Sequence, residues 1–221
     1  MKPVRQSLQH FVREEIIPRY DAFDAGHRRD HAEAVIEQAL ELAAHYDVDP
    51  EILYVAAAYH DLGIIEGRET HHLASGRIIR GDARLLQWLT PEGIELAAQA
   101  AEDHRASSDH APRTIYGRII AEADRLIDPE TVIRRTVEYG FAHYPELDKE
   151  GHWHRTLEHM HEKYAEGGYL KLWIPESRNA ARLTELRAII ADEPALRTRF
   201  EKYYDLCHTS SETNRSGKKE H

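Results

Sequence analysis

Three tripeptides constrain this chain more than any other feature: Asp49-Pro50-Glu51, Thr90-Pro91-Glu92 and Asp128-Pro129-Glu130. In each, a capping oxygen can accept a first-turn N–H, a proline occupies a position where no N–H is needed, and an acid sits at the positive end of the helix dipole. Each therefore reads as a helix start. Alternating apolar and polar runs of the strand type are scarce between them. The expected fold class is all-α.

The helical period supports this reading. Ala34, Val35, Ala39 and Leu42 share one face of a helix from about Arg28 to Tyr46. The run ILYVAAAYHDL follows Asp49 and is closed by Gly63. Further helices are expected from Thr90 to about His104, from about Arg113 to Ile127, and from Asp128 onward. The last ones are expected near 151–165, 178–191 and 194–206. The organisation read from this is an N-terminal helical segment over 1–24, a core over 25–130, a helical extension packed on it over 131–208, and a disordered tail over 209–221. Gly167-Gly168 with YLKLWIPES is expected as a loop or short strand beside the site.

A formal net charge of −10 argues against a partner as anionic as a nucleic-acid polymer. A small phosphorylated molecule remains compatible, because a metal ion and a few arginines reverse the potential locally. The one cysteine, Cys207, permits neither an intramolecular disulfide nor a thiolate zinc cluster. No apolar run reaches the length of a membrane span or a signal peptide, so a cytoplasmic protein without a membrane partner is expected. Homo-oligomerisation is left open.

Several polar residues occupy positions where the helical pattern calls for apolar ones. His31 shares a stripe with Ala34, Val35 and Leu42; His60 follows Leu53, Ala56 and Ala57; Asp61 follows Ala57 and Ala58; Asp124 lies with Ile120, Ala121 and Ile127. Burying such groups unpaired costs roughly several kcal/mol each. A metal ion between facing helices removes all four anomalies together. Adjacent helical residues point about 100° apart, but His60 and Asp61 stand in the last turn before Gly63, where both can face one ion. Two imidazoles and two carboxylates suit Mn, Fe, Co, Ni, Zn or Mg, with coordination positions left for water and substrate.

His31 in HAEAV, His60-Asp61 in AAAYHDLG and Asp124 in IIAEADRLID resemble the H, HD, D ligand order of the HD superfamily of metal-dependent hydrolases, over about residues 25–130. THHLAS and EDHRASSDHAPRTIYGRIIAEADRLID are similar to the smaller bacterial HD proteins. The resemblance implies a compact multi-helix bundle and a metal-dependent phosphohydrolase acting on a small phosphate ester, with a nucleotide as the leading substrate. His27 stands where some two-metal members carry Glu, and Arg28 where close relatives often have Asp. The tandem-His and Gly-Tyr-Pro features of cyclic-dinucleotide phosphodiesterases are not matched. Glu66 is the nearest acid after the HD pair, behind Ile64 and Ile65.

Beyond the four ligands, Asp61 is expected also to accept the proton of the attacking water. His104, on the stripe of Ala97, Ala100 and Ala101, is expected to bind a second metal or to act on the leaving group. One of His71 and His72 is expected to face the site, with His72 favoured as the catalytic one. Arg105, Arg113, Arg77 and Lys171 are candidates for substrate phosphate oxygens. The histidines of GHWHRTLEHMHEKY read as a solvated helix with Trp153, Leu157 and Met160 turned inward. Two rival readings are an HD-type di-iron oxygenase, drawing extra ligands from His27, His72 and His104, and a non-catalytic metal- or ligand-binding module.

Overall fold

The three start signals form helices by the expected bonds. In the computed structural model, which describes residues 2–23 and 29–216, Asp49 Oδ1 accepts the Glu51 N–H at 2.9 Å. Thr90 Oγ1 accepts the Gly93 N–H at 3.2 Å, and Asp128 Oδ1 the Thr131 N–H at 2.9 Å. Ten α-helices occur among the described residues: α1 Gln6–Phe11, α2 Arg29–Ala43, α3 Pro50–Tyr59, α4 His71–Gly81, α5 Pro91–Glu102, α6 Ile115–Arg125, α7 Pro129–His143, α8 Lys149–Tyr164, α9 Asn179–Ala191 and α10 Glu193–Ser216. Those residues contain no strand, and none of the helices is long and apolar enough to cross a membrane. His27 and Arg28 lie outside the described residues.

The chain divides into two compact units, one comprising Met1–Leu126 with Lys171–Ser177, the other Ile127–Leu170 with Arg178–His221. In the first unit α2, α3, α5 and α6 pack on one another, and α4 packs on α5. Ala56, Ala57 and Ala58 on α3 and Ala97, Ala98, Ala100 and Ala101 on α5 are all fully buried, and such short side chains let helix axes approach closely. Leu8, Val12, Ile16, Val35, Leu53, Ile119 and Ile120 complete this core, each burial contributing about 1.5–3 kcal/mol. The N-terminal residues join it: Glu51, 2 % exposed, receives Arg5 Nε at 2.7 Å and the Arg5 backbone N–H at 2.9 Å.

α4 was not foreseen, because its first residues are two histidines and Thr70 makes no side-chain cap bond. It is held by tertiary packing instead. Gly63 lies so close to its first turn that a Cβ there would collide with the His71 carbonyl and come within 2.6 Å of Ser75 N. The Gly63 N–H donates to Ser75 Oγ at 2.9 Å.

In the second unit Trp153, Met160, Leu183, Leu186, Ile190, Leu196 and Phe200 are buried. His152 corrects the expectation of a solvated run: it is 2 % exposed and stacks on Phe141 with ring centroids 4.8 Å apart. Gly140 makes the room, since a Cβ there would stand 2.9 Å from His152 Nδ1. α10 continues to Ser216, into the segment read as a disordered tail, and residues 217–221 lie outside the described residues. Gly167 to Ser177 form a loop without strand pairing.

Candidate metal centre

Five helices of the first unit bring their polar anomalies to one place. His31 comes from the first turns of α2, His60 and Asp61 follow α3, His71 opens α4, His104 follows α5, and Asp124 lies near the end of α6. His60, Asp61 and His104 are 0, 2 and 3 % exposed. The donor atoms form two trios, His31, His60 and Asp124 in one, Asp61, His71 and His104 in the other, with the atoms of each within 4.8 Å of one another.

Asp61 joins the trios. Its Oδ2 is 3.2 Å from His60 Nε2 and 3.6 Å from His31 Nε2, while Oδ1 is 3.4 Å from His71 Nε2 and 3.5 Å from His104 Nε2. Asp124 Oδ1 closes the first trio at 3.1 Å from His31 Nε2 and 3.7 Å from His60 Nε2.

Three histidines are oriented by one local device. Nδ1 of His60 lies 2.7 Å from Ala57 O, Nδ1 of His71 2.7 Å from Arg68 O, and Nδ1 of His104 2.5 Å from Ala101 O. A carbonyl only accepts, so each Nδ1 carries the proton and each Nε2 is left to face the centre, as in histidines that ligate metals. Tyr20, buried beneath, donates its hydroxyl to Ala58 O at 3.0 Å and steadies the turn that carries His60.

The facing Nε2 atoms show what the centre lacks. His71 and His104 stand 3.0 Å apart through Nε2, and His31 and His60 3.3 Å apart. Burial, and then the neighbouring His104, depress the pKa of His71 to about 4, so it is neutral at pH 7 and offers a lone pair. Two nitrogens bound to one ion at about 2.0–2.1 Å stand roughly 2.8–3.4 Å apart at ligand angles near 90–110°. The donor set therefore fits divalent cations. In the first trio burial opposes charge on His31 and His60, but the Asp61 and Asp124 carboxylates outweigh it and raise both pKa values. Both carboxylates are held below the ordinary range by the same histidines, against the effect of burial.

Of the remaining expected site residues, His72 is one position out of register: the ring that reaches Asp61 and His104 belongs to His71, because neighbours on α4 point about 100° apart. His72 is half-buried, and burial, with His104 and Arg105 nearby, lowers its pKa. Arg105 is tethered by Nη1 to Glu69 O at 2.5 Å. Arg113 is paired with Asp103 at 2.9 Å and Glu102 at 2.7 Å. Arg77 pairs with Glu66 at 2.6 Å on the exposed surface. Lys171 is exposed, and its carbonyl accepts Arg125 Nε at 3.5 Å. Sequence reasoning named His71 only as the alternative to His72, and it missed Glu122. This fully buried acid on α6 accepts the Trp173 N–H at 2.6 Å and the Ile174 N–H at 3.3 Å, binding the 171–177 segment to the helix that bears Asp124.

The HD domain family model matches residues 28–127, a span that includes every member of both trios. No curated protein matches the chain. One solved structure, a predicted HD superfamily hydrolase from an uncultured Thermotogales bacterium, is similar over 71 % of this chain and 84 % of its own, at 20 % identity and a TM-score of 0.47.

Proposed function

We propose, on the match of the HD domain family model to residues 28–127, that this chain is a divalent-metal-dependent phosphohydrolase acting on a small phosphate ester, with a nucleotide as the leading substrate. His31, His60 and Asp124 with Asp61 would hold one ion; Asp61, His71 and His104 would hold a second. The observation that carries the reading is the division of the Asp61 carboxylate between the two trios, 3.2 Å from His60 on one side and 3.5 Å from His104 on the other.

Ions held there supply Lewis-acid polarisation of a phosphoryl oxygen and a bound water with its pKa lowered towards neutrality. The chain's own groups do the rest. Asp61, with its pKa pulled well below the ordinary range by the neighbouring histidines against burial, stays ionised and would serve as a ligand on both sides. His104 takes the place of a ligand rather than a leaving-group acid. His72, neutral at pH 7, donates a hydrogen bond to substrate instead of a charge. Arg105, beside His72 and fixed at one nitrogen, is the arginine suited to a phosphate oxygen. Lys171 remains a second candidate.

Metal analysis of freshly purified protein, followed by phosphate release from a nucleotide panel with Mn, Co, Ni or Mg, tests this. We expect bound divalent metal and hydrolysis that chelation abolishes and metal restores. Hydrolysis indifferent to chelation, or none across the panel with any metal, overturns it. A paired-iron oxygenase is the second reading, favoured by the second trio, in which His71 and His104 supply the additional ligands such chemistry needs. Iron as the co-purified metal, with oxygen consumption and no phosphate release, would select it.

A further inference from the structure

One buried cation near the centre belongs to neither trio. Arg125, the last residue of α6, follows Asp124 directly, and its side chain is 4 % exposed. Its Nη1 donates to the His104 carbonyl at 2.9 Å and stands 3.9 Å from Asp124 Oδ2, while its Nε donates to the Lys171 carbonyl at 3.5 Å. His104 lies just past the end of α5, where carbonyls have no partner within the helix. Its backbone position is therefore not set by α5 alone. A guanidinium presents its N–H groups in a rigid planar fork, so one side chain ties the end of α6, the His104 backbone and the 171–177 segment into fixed relation.

We propose that Arg125 is a positioning residue of the second trio: by holding the His104 carbonyl against α6 it keeps His104 Nε2 within 3.0 Å of His71 Nε2 and 3.5 Å of Asp61 Oδ1. This rests on the metal-centre reading above. The His104 ring is fixed to its own helix through the Nδ1 bond to Ala101 O. With that bond made, the remaining freedom of Nε2 is the position of the backbone, and Arg125 acts on the backbone. Lysine keeps the charge but has no fork, so it cannot reach the His104 and Lys171 carbonyls in the same geometry.

Calorimetric titration of Mn2+ into the metal-free full chain tests the proposal, using wild type, Arg125→Lys, His104→Ala and Glu122→Gln. His104→Ala identifies the binding event that depends on the second trio. Arg125→Lys is expected to weaken that event on the order of 10–100-fold, as loss of outer-sphere partners does, and to leave the other event unchanged. Glu122→Gln loosens the same 171–177 segment at its Trp173 and Ile174 bonds. It is expected to lower Tm while sparing both affinities. Arg125→Lys with the His104-dependent affinity intact, equal weakening of both events, or the same selective loss in Glu122→Gln overturns the proposal. If Arg125→Lys does not fold, Arg125→Gln is measured in its place, and failure of both to fold assigns Arg125 to stability and also overturns it. Wild type that binds Mn2+ with no His104-dependent event refutes the role of Arg125 alone, whereas wild type that takes up no Mn2+ refutes the metal centre itself.

Discussion

Asp61 Oδ1 lies 3.5 Å from Nε2 of His104, although the two residues follow different helices, α3 and α5. The other oxygen of that carboxylate faces His60, so His104 and Asp124 belong to trios on opposite sides of one carboxylate. Asp124→Asn and His104→Ala should then each lose one ion and keep the other. Both are expected to lower phosphohydrolase kcat/KM by more than about 100-fold, the upper end of what outer-sphere partners cost. Steady-state kinetics with metal in excess checks this, and a wild-type rate in either variant removes that residue from the centre.

Gly63 ties the HD pair to α4, and it has no room for a side chain against the His71 carbonyl and Ser75 N. Gly63→Ala must push the first turn of α4 away or bend the turn after Asp61. Overpacking of this kind costs about 1–3 kcal/mol, and in a chain of this length Tm should fall by roughly 2–12 °C. Because His71 moves with that turn, the rise in Tm on adding Mn2+ should also shrink. Thermal melts with and without Mn2+ measure both effects, and a wild-type melt in Gly63→Ala would show the contact to be soft.

The Arg5–Glu51 pair gives a pH signature remote from the centre. The Arg5 guanidinium, opposed by burial, holds the Glu51 pKa below its ordinary value. A carboxylate depressed in the fold contributes stability above its unfolded pKa of about 4.3 and loses it as pH falls through the lower folded value. The Tm difference between wild type and Arg5→Ala should therefore be largest and constant above about pH 5.5, more than a unit above that unfolded value, and close as the solution is acidified below it. A difference that widens towards acid pH would contradict the assignment.

Much of this molecule could be read before its structure, and the parts that could not share a cause. Capping and periodicity are local, so α2, α3, α5, α6 and α7 begin within one or two residues of their signals. The inward placing of His31, His60, Asp61, His104 and Asp124 followed from apolar neighbours at helical spacing, which is local too. α4 has no cap bond and is held by Gly63 from outside, so its phase could not be fixed, and only the fold reveals that His71 is the neighbour that reaches Asp61 and His104. Arg113 and Arg105 are the same residue type in one short stretch. Only the fold reveals that Asp103 and Glu102 engage the first, while a backbone carbonyl engages the second. The burial of His152 likewise depends on Gly140 of another helix.

The central claim is that one carboxylate joins two ion sites, and the metal content of Asp61→Ala tests it most directly. Wild type, His104→Ala, Asp124→Asn and Asp61→Ala are loaded with Mn2+, freed of excess and analysed by elemental mass spectrometry, with circular dichroism to confirm the helical fold. The account predicts two ions per chain in wild type, one in His104→Ala and Asp124→Asn, and loss of both in Asp61→Ala. Retention of the wild-type content by a folded Asp61→Ala would contradict it.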